Sequence, residues 1–544
     1  MTPGWLQPCH LRMVSSSDGF CRQMRTTTIG ALGRSLMWIG ALALLSVATR
    51  WLSLAVDVVD VDEACHIVGS WQLMRGGLLY TDFVDNKPPL LYAFYAAAQA
   101  LAGRGLFAVH LATALCVVPF TALAVSACYR QRRTGLIAAL TFLLYSSAFL
   151  GHDMLATNAE VLMVLPASWA IVLMADDDWT AHRGRAAAAG FLLGIGVLFK
   201  PQIATWILAA LVALAWPATA STTRERLRAA SLLIVGAIVP TVGALLYFWA
   251  RGGLSAFVYW AGLHNLWYAD NPITGIEAAT RFTQTVIPFA LVTSPLWLAS
   301  WRGYSLLHSS RWQILVIGLI VASVPPALLG FRFFPHYLIQ LYVPLSLSSA
   351  PWLEQQLTRP ITRAGRWVLV WTTIVVAGFG IANALLYFGP FHVYRERDPV
   401  FRSVARRLLS DSCARNGSLF VWGWAPMIYY FADLSPGSRF VALPQAQLTG
   451  YIPGNLSSNR GESPGAREVP EHWDLLMKDL DRSHVTFIVD TAPANVFRWG
   501  RYPLTKYPRL LRYVETSFVP ASTIAGIDIY RRRDCATAAD STRP

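Results

Sequence analysis

Carboxylates crowd the stretch "DVVDVDEACH", where Asp57, Asp60, Asp62 and Glu63 follow an apolar run. Further on, "DFVDNKPPLLYAFY" sets Asp82, Asp85 and Lys87 directly against another such run. "GHDMLATNAE" carries His152, Asp153, Asn158 and Glu160, and "FKPQ" carries Lys200. "GFRFFPHYLIQLYVP" then adds Arg332, His336, Tyr337 and Gln340. A carboxylate beside a hydroxyl can take its proton as general base. Cations around a phosphate stabilise the charge that grows on it as it leaves. Acidic and basic groups in one cavity therefore suit transfer of a sugar from a lipid phosphate to an acceptor hydroxyl. A phosphate leaving group needs no general acid, so one base is enough.

Each residue also has an ordinary role. Asp57 and Asp60 read as solvated surface carboxylates, and Asp153 as a helix cap. A lone lysine such as Lys200 normally snorkels toward water, and Arg332 and His336 can anchor a helix at an interface. The set as a whole fits these roles less well. Ionisable groups at membrane depth cost several kcal/mol unless paired or hydrated, and here acidic and basic points converge on one face.

The elements that must hold them are membrane helices. The chain has 544 residues, 54% hydrophobic and only 14% charged, with mean hydropathy +0.41, against roughly 25% charged residues in soluble domains. Apolar runs at 35–56, 105–128, 134–150, 160–175, 186–199, 201–218, 229–250, 282–301, 312–330, 335–353 and 366–388 predict about eleven transmembrane helices. The run 88–103 is expected to lie against the outer surface instead. With that placement the basic segments 129–134, 182–185, 224–228, 302–311 and 359–366 all face the cytoplasm. Residues 1–34 then form a cytoplasmic tail, or partly an overlong start, 35–388 the catalytic membrane domain, and 57–104 its first outer loop. The net charge of +14 is explained by these loops. No basic stripe interleaved with aromatics argues for nucleic acid.

The tail 389–544 changes character. "SLFVWG", "VTFIVD" and "IDIYRR" predict strands, 398–410 and 471–481 predict helices, and 449–466 is Gly- and Ser-rich loop. A small extracytoplasmic α/β domain is expected. The seven cysteines show no metal-ligand spacing, and with the tail outside, Cys413 and Cys535 are able to pair in a disulfide.

"VDEACHIVGSWQLMRGGLLYTDFVDNKPPLLYAFY", "ATNAEVLMVLP", "GVLFKPQ" and "GFRFFPHYLIQLYVPL" occur in an order that resembles the bacterial branch of the GT-C glycosyltransferases. These are the relatives of protein O-mannosyltransferases and of the lipid A aminoarabinose transferase, and the resemblance covers roughly residues 35–390. It implies a polyprenyl-phosphate (undecaprenyl-phosphate) sugar donor and an inverting transfer at the outer face of a bacterial inner membrane. The acceptor would be an envelope lipid, glycan or protein. By position, Asp62 matches the catalytic acidic residue, with Glu63 beside it. Lys87 matches a lysine that binds the lipid phosphate, and Lys200 and Arg332 match basic positions near it. Glu160 stands where many relatives have Asp, so Asp153 competes for that second acidic role. His336, Tyr337 and Gln340 fall along the donor pocket. Asp62, Glu63 and Glu160 are also a set able to hold a divalent cation, although the resemblance favours metal independence and no cofactor. A transporter or flippase for a lipid-linked saccharide is the alternative, since it too needs a basic pocket for a lipid phosphate. Related halves or interrupted midplane helices, which transporters often show, are not evident.

Overall fold

The computed structural model describes residues 37–149, 151–216, 221–269, 275–389, 398–441, 445–450 and 469–535. The expected tail 1–34 and nearly all of the loop 449–466 lie outside them.

The first part of the chain is helical throughout. Among the described residues, four helices are long and apolar enough to cross a membrane: Leu106–Ala127, Thr223–Ala250, Ser310–Phe331 and Arg363–Phe388. A fifth candidate is the pair Gly275–Val292 and Ser294–Tyr304, bent by 54°. The expected straight run 282–301 is thus broken, because Thr293 leaves helical geometry and Pro295 has no N–H to continue the ladder. Shorter apolar helices are Met37–Thr49, Pro89–Ala102, Ala159–Met174 and Pro201–Ala215. The expected first span is interrupted at Arg50, after which Trp51–Ala55 resumes the helix. The last but one begins as a 3-10 turn, Pro335–Leu338, before Ile339–Thr358.

Local chemistry sets the elements nearest the charged residues. Asp60 caps the helix Val61–Met74, and Glu63 reaches back to close a capping box. This fixes the direction in which Asp62 leaves the first turn. The loop that follows ends at Pro88, and Pro89 opens the helix Pro89–Ala102 at the position where a missing N–H costs nothing. That helix packs on Val61–Met74 and buries Leu91, Tyr92, Tyr95 and Ala98.

The helices Arg183–Val197 and Thr223–Ala250 pack without intervening side chains. A Cβ at Gly190 would lie 2.0 Å from the Leu233 carbonyl oxygen, one at Gly194 2.3 Å from that of Ala237, and one at Gly236 2.2 Å from that of Ala187. Only glycine permits this approach, as at small-residue membrane helix interfaces.

The tail forms a mixed five-stranded sheet of β1 (Ser418–Trp422), β2 (Ser435–Pro436), β3 (Phe487–Asp490), β4 (Phe518–Ile524) and β5 (Ile527–Arg532). Its order is β2-β1-β3-β5-β4, with β1 parallel to β2 and β3, and β5 antiparallel to β3 and β4. The helices Pro399–Leu409 and Pro470–Arg482 accompany it. β1, β3 and β5 coincide with the expected strands, while β2 and β4 were not anticipated. β4 joins β5 through Ala525-Gly526, both at positive φ, which matches the twist of a tight hairpin. Cys413 and Cys535 are joined by a disulfide.

Candidate active site

Asp62 and Glu63 are neighbours with opposite fates. Glu63 is fully buried, and both its oxygens are occupied. Oε1 accepts from Thr157 N at 2.6 Å and meets His110 Nε2 at 2.9 Å, while Oε2 accepts from Val59 N at 3.0 Å and Asp60 N at 3.2 Å. Burial pushes this carboxyl up, but His110 and the backbone donors outweigh it and leave it below its usual range. The arrangement holds Glu63 as a tie between helices, with no oxygen left for a hydroxyl or a metal. Among the described residues no three His, Cys, Asp or Glu side chains are grouped to hold a metal ion.

Asp62 is only half-buried. Burial raises its carboxyl, but Lys87, with His336 and Lys200, pulls it down by a larger amount, and it ends below the ordinary aspartate value. Asp60 moves the other way, raised by burial and by the charges of Asp62 and Asp153. Two carboxyls pushed in opposite directions differ in role: Asp62 stays ionised and able to accept a proton, while Asp60 caps the helix.

Lys87 sits half-buried at the end of the outer loop, with Nζ 3.2 Å from Asn86 Oδ1. The loop's own carboxylates are its supports. Asp82 accepts from Leu78 N at 2.8 Å, and Asp85 accepts from Tyr92 Oη at 2.6 Å and from Asn86 N at 2.6 Å. Tyr80 Oη donates to the Lys87 carbonyl at 2.8 Å.

The other predicted residues form a chain. Asp153 Oδ1 lies 2.7 Å from His336 Nδ1, His336 Nε2 lies 3.7 Å from Glu160 Oε1, and Glu160 is paired with Lys200. Lys200 Nζ also stands 4.5 Å from the centre of the Tyr337 ring. The Tyr337 phenol is within electrostatic reach of Glu160, Lys87, Arg332 and Asp62. Arg332 is buried, its guanidinium lying over Gly330, which has positive φ and no Cβ to obstruct it. Gln340 stands apart: its Nε2 donates to the Ser323 carbonyl at 2.8 Å, next to Pro325-Pro326 within the helix Ser310–Leu328. Its place is in helix packing.

Several contributors were not singled out from sequence. Arg50 donates to the Met154 and Leu155 carbonyls at 3.2 and 2.6 Å, holding the turn that carries Asp153. Tyr95 Oη donates to the Thr157 carbonyl at 2.8 Å in the same turn. His66 follows Asp62 by four residues, one helical turn on the same face. It is buried edge-on against Tyr92 and Tyr95, and its Nδ1 has no hydrogen-bond partner. Burial lowers its imidazole to about 4, so it is neutral. The i, i+4 spacing from Asp62 was the signal available for it.

Residues 86–247 match the family described as dolichyl-phosphate-mannose-protein mannosyltransferase. No curated protein sequence matches the chain. In fold it is similar to ArnT from Cupriavidus metallidurans, solved bound to undecaprenyl phosphate, with TM-score 0.60, 13% identity, and coverage of 92% of this chain and 98% of that one. ArnT of the same organism in the apo state gives TM-score 0.57 at the same identity and coverage. At this identity the likeness is one of fold, and it extends through the sheet-containing tail. The segment 86–247 is thus similar to the mannosyltransferase family, and the chain as a whole, with several helices long and apolar enough to cross a membrane, shares the fold of ArnT.

Proposed function

We propose that the protein transfers a sugar, with inversion, from a polyprenyl-phosphate donor to a hydroxyl on an extracytoplasmic acceptor. The observation that carries this reading is the surroundings of Asp62: an ionised, half-exposed carboxylate within the field of Lys87, His336 and Lys200. Asp62 takes the acceptor proton as general base. Lys87, Lys200 and Arg332 balance the charge that develops on the leaving phosphate. Asp153, His336 and Glu160 hold Lys200 and Tyr337 in place, and Glu63 positions Asp62. The relative solved with undecaprenyl phosphate supports a lipid of that class. Basic loops facing the cytoplasm set the site at the outer face of the inner membrane, with the sheet-containing tail outside.

The test is transfer by purified protein given a labelled polyprenyl-phosphate sugar and a mixture of envelope acceptors. Wild type releases free polyprenyl phosphate. Asp62→Asn is expected to lose about 100-fold or more of the rate while still inserting and binding donor. Full activity in Asp62→Asn would remove Asp62 from the role. Binding or movement of donor lipid across vesicles without phosphate release would favour a transporter.

A further inference from the structure

Lys87 is not placed by its own loop alone. Asn265, in the helix His264–Ala269, donates through Nδ2 to the Asn86 carbonyl at 2.8 Å and to the Ala261 carbonyl at 2.9 Å. Asn86 is the residue whose side chain meets Lys87 Nζ. Beside Asn265, the buried His264 is hydrogen-bonded through Nδ1 to Gln447 of the carboxy-terminal segment. Gln447 in turn accepts from Tyr259 Oη at 3.1 Å, and its carbonyl accepts from Val469 N at 2.8 Å.

The same segment touches the lysine loop directly. Val84 N donates to the Arg439 carbonyl at 3.2 Å, and Arg439 is held by Asp479 through Nε and Nη2, both at 2.8 Å. Trp260 fills the space between these contacts, stacked on His472 with ring centres 5.2 Å apart and edge-on to Phe440. Two of its polar contacts fall on one short backbone stretch, residues 84–86, immediately before the lysine.

We propose that Asn265 is a positioning residue for Lys87, and that Gln447 holds the helix of Asn265 in register, so that the carboxy-terminal segment sets the affinity for the lipid phosphate. The inference rests on the reading of Lys87 as a phosphate ligand. It gives the carboxy-terminal tail a part in donor binding.

The experiment measures binding of undecaprenyl phosphate to the purified full chain, together with KM for the lipid donor and kcat. Asn265→Asp keeps the size of the side chain and removes the donor to Asn86, which guards against a folding defect. Asn265→Asp and Gln447→Leu are each expected to weaken binding and raise the donor KM by about 3- to 10-fold, the scale of one hydrogen bond, with kcat within about twofold. In a Lys87→Met background, Asn265→Asp should add nothing further, because its effect passes through the lysine. Loss of binding in Lys87→Met with unchanged binding in Asn265→Asp would overturn the inference alone, as would fully additive losses in the double variant. Unchanged binding in Lys87→Met would overturn the phosphate reading, and the inference with it.

Discussion

Glu63→Gln separates a structural carboxylate from a catalytic one. Glutamine has the same shape but only one acceptor oxygen, whereas Glu63 serves Thr157 N, His110, Val59 N and Asp60 N from two. The cheaper orientation keeps the oxygen on Val59 and Asp60 and turns the amide toward His110 and Thr157. His110 can change tautomer to accept, but the Thr157 N–H then faces another donor. An orphaned buried N–H costs about 1–3 kcal/mol, and two charge-assisted bonds weaken to neutral ones, so the total is about 2–4 kcal/mol. The assay is thermal unfolding of the detergent-purified protein with transfer measured alongside. Melting should fall by roughly 2–4 °C, with kcat reduced less than about tenfold. A rate loss equal to that of Asp62→Asn would refute the assignment, because Glu63 would then be doing chemistry. A melting point within about 1 °C of wild type would refute the hydrogen-bond accounting.

Other perturbations follow from the same contacts. Glu160→Gln or Lys200→Met alone leaves one charge of a buried pair uncompensated and should destabilise by about 3–5 kcal/mol, with the double variant recovering part of the loss; a double-mutant cycle on melting or on donor KM checks the coupling. Asp490 faces Asp528 across the β3–β5 ladder and is raised by burial to about 6. An acid raised on folding binds its proton more readily when folded, so stability is gained as pH falls through about 6 toward 4 and is lower above it. At neutral pH the penalty is about 3 kcal/mol, so Asp490→Asn should raise the melting point there and flatten its pH dependence; no change between pH 5 and 7 would argue against it. The Cys413–Cys535 bond closes 122 residues of sequence separation, and chain entropy puts its removal at up to about 5 kcal/mol. Cys413→Ser should make the tail protease-sensitive, and a fully reduced pair in intact cells would contradict an extracytoplasmic tail.

What sequence disclosed was chemical type and approximate place. The apolar runs located most helices, because hydropathy is a local property. The 54° bend at Thr293 and the break at Arg50 were missed, since each depends on what the freed backbone meets. β1, β3 and β5 are short apolar runs of buried strand and were legible. β4 is half-exposed and contains Pro520, so its pattern resembles loop. In the candidate site, Asp62, Lys87, Lys200, His336 and Tyr337 were singled out by type, depth and family resemblance. The opposite fates of Asp62 and Glu63 were not, because adjacent helical residues differ by about 100° in direction, and only the fold tells which side faces His110. Asn265 was invisible for the same reason: a neutral amide in a short helix carries no signal until its partner, the Asn86 carbonyl, is in view.

The glycine contacts between Arg183–Val197 and Thr223–Ala250 have a consequence for substrate choice. With carbonyls rather than side chains at the interface, neither helix can slide or rotate without a backbone collision, and Lys200 follows the first of them by a single turn. The height of that ammonium is therefore a fixed gauge built from main chain. In the proposed function, the donor phosphate is measured against that mark whatever sugar it carries, so a redesign of sugar preference can alter the lining and leave the lipid anchorage untouched.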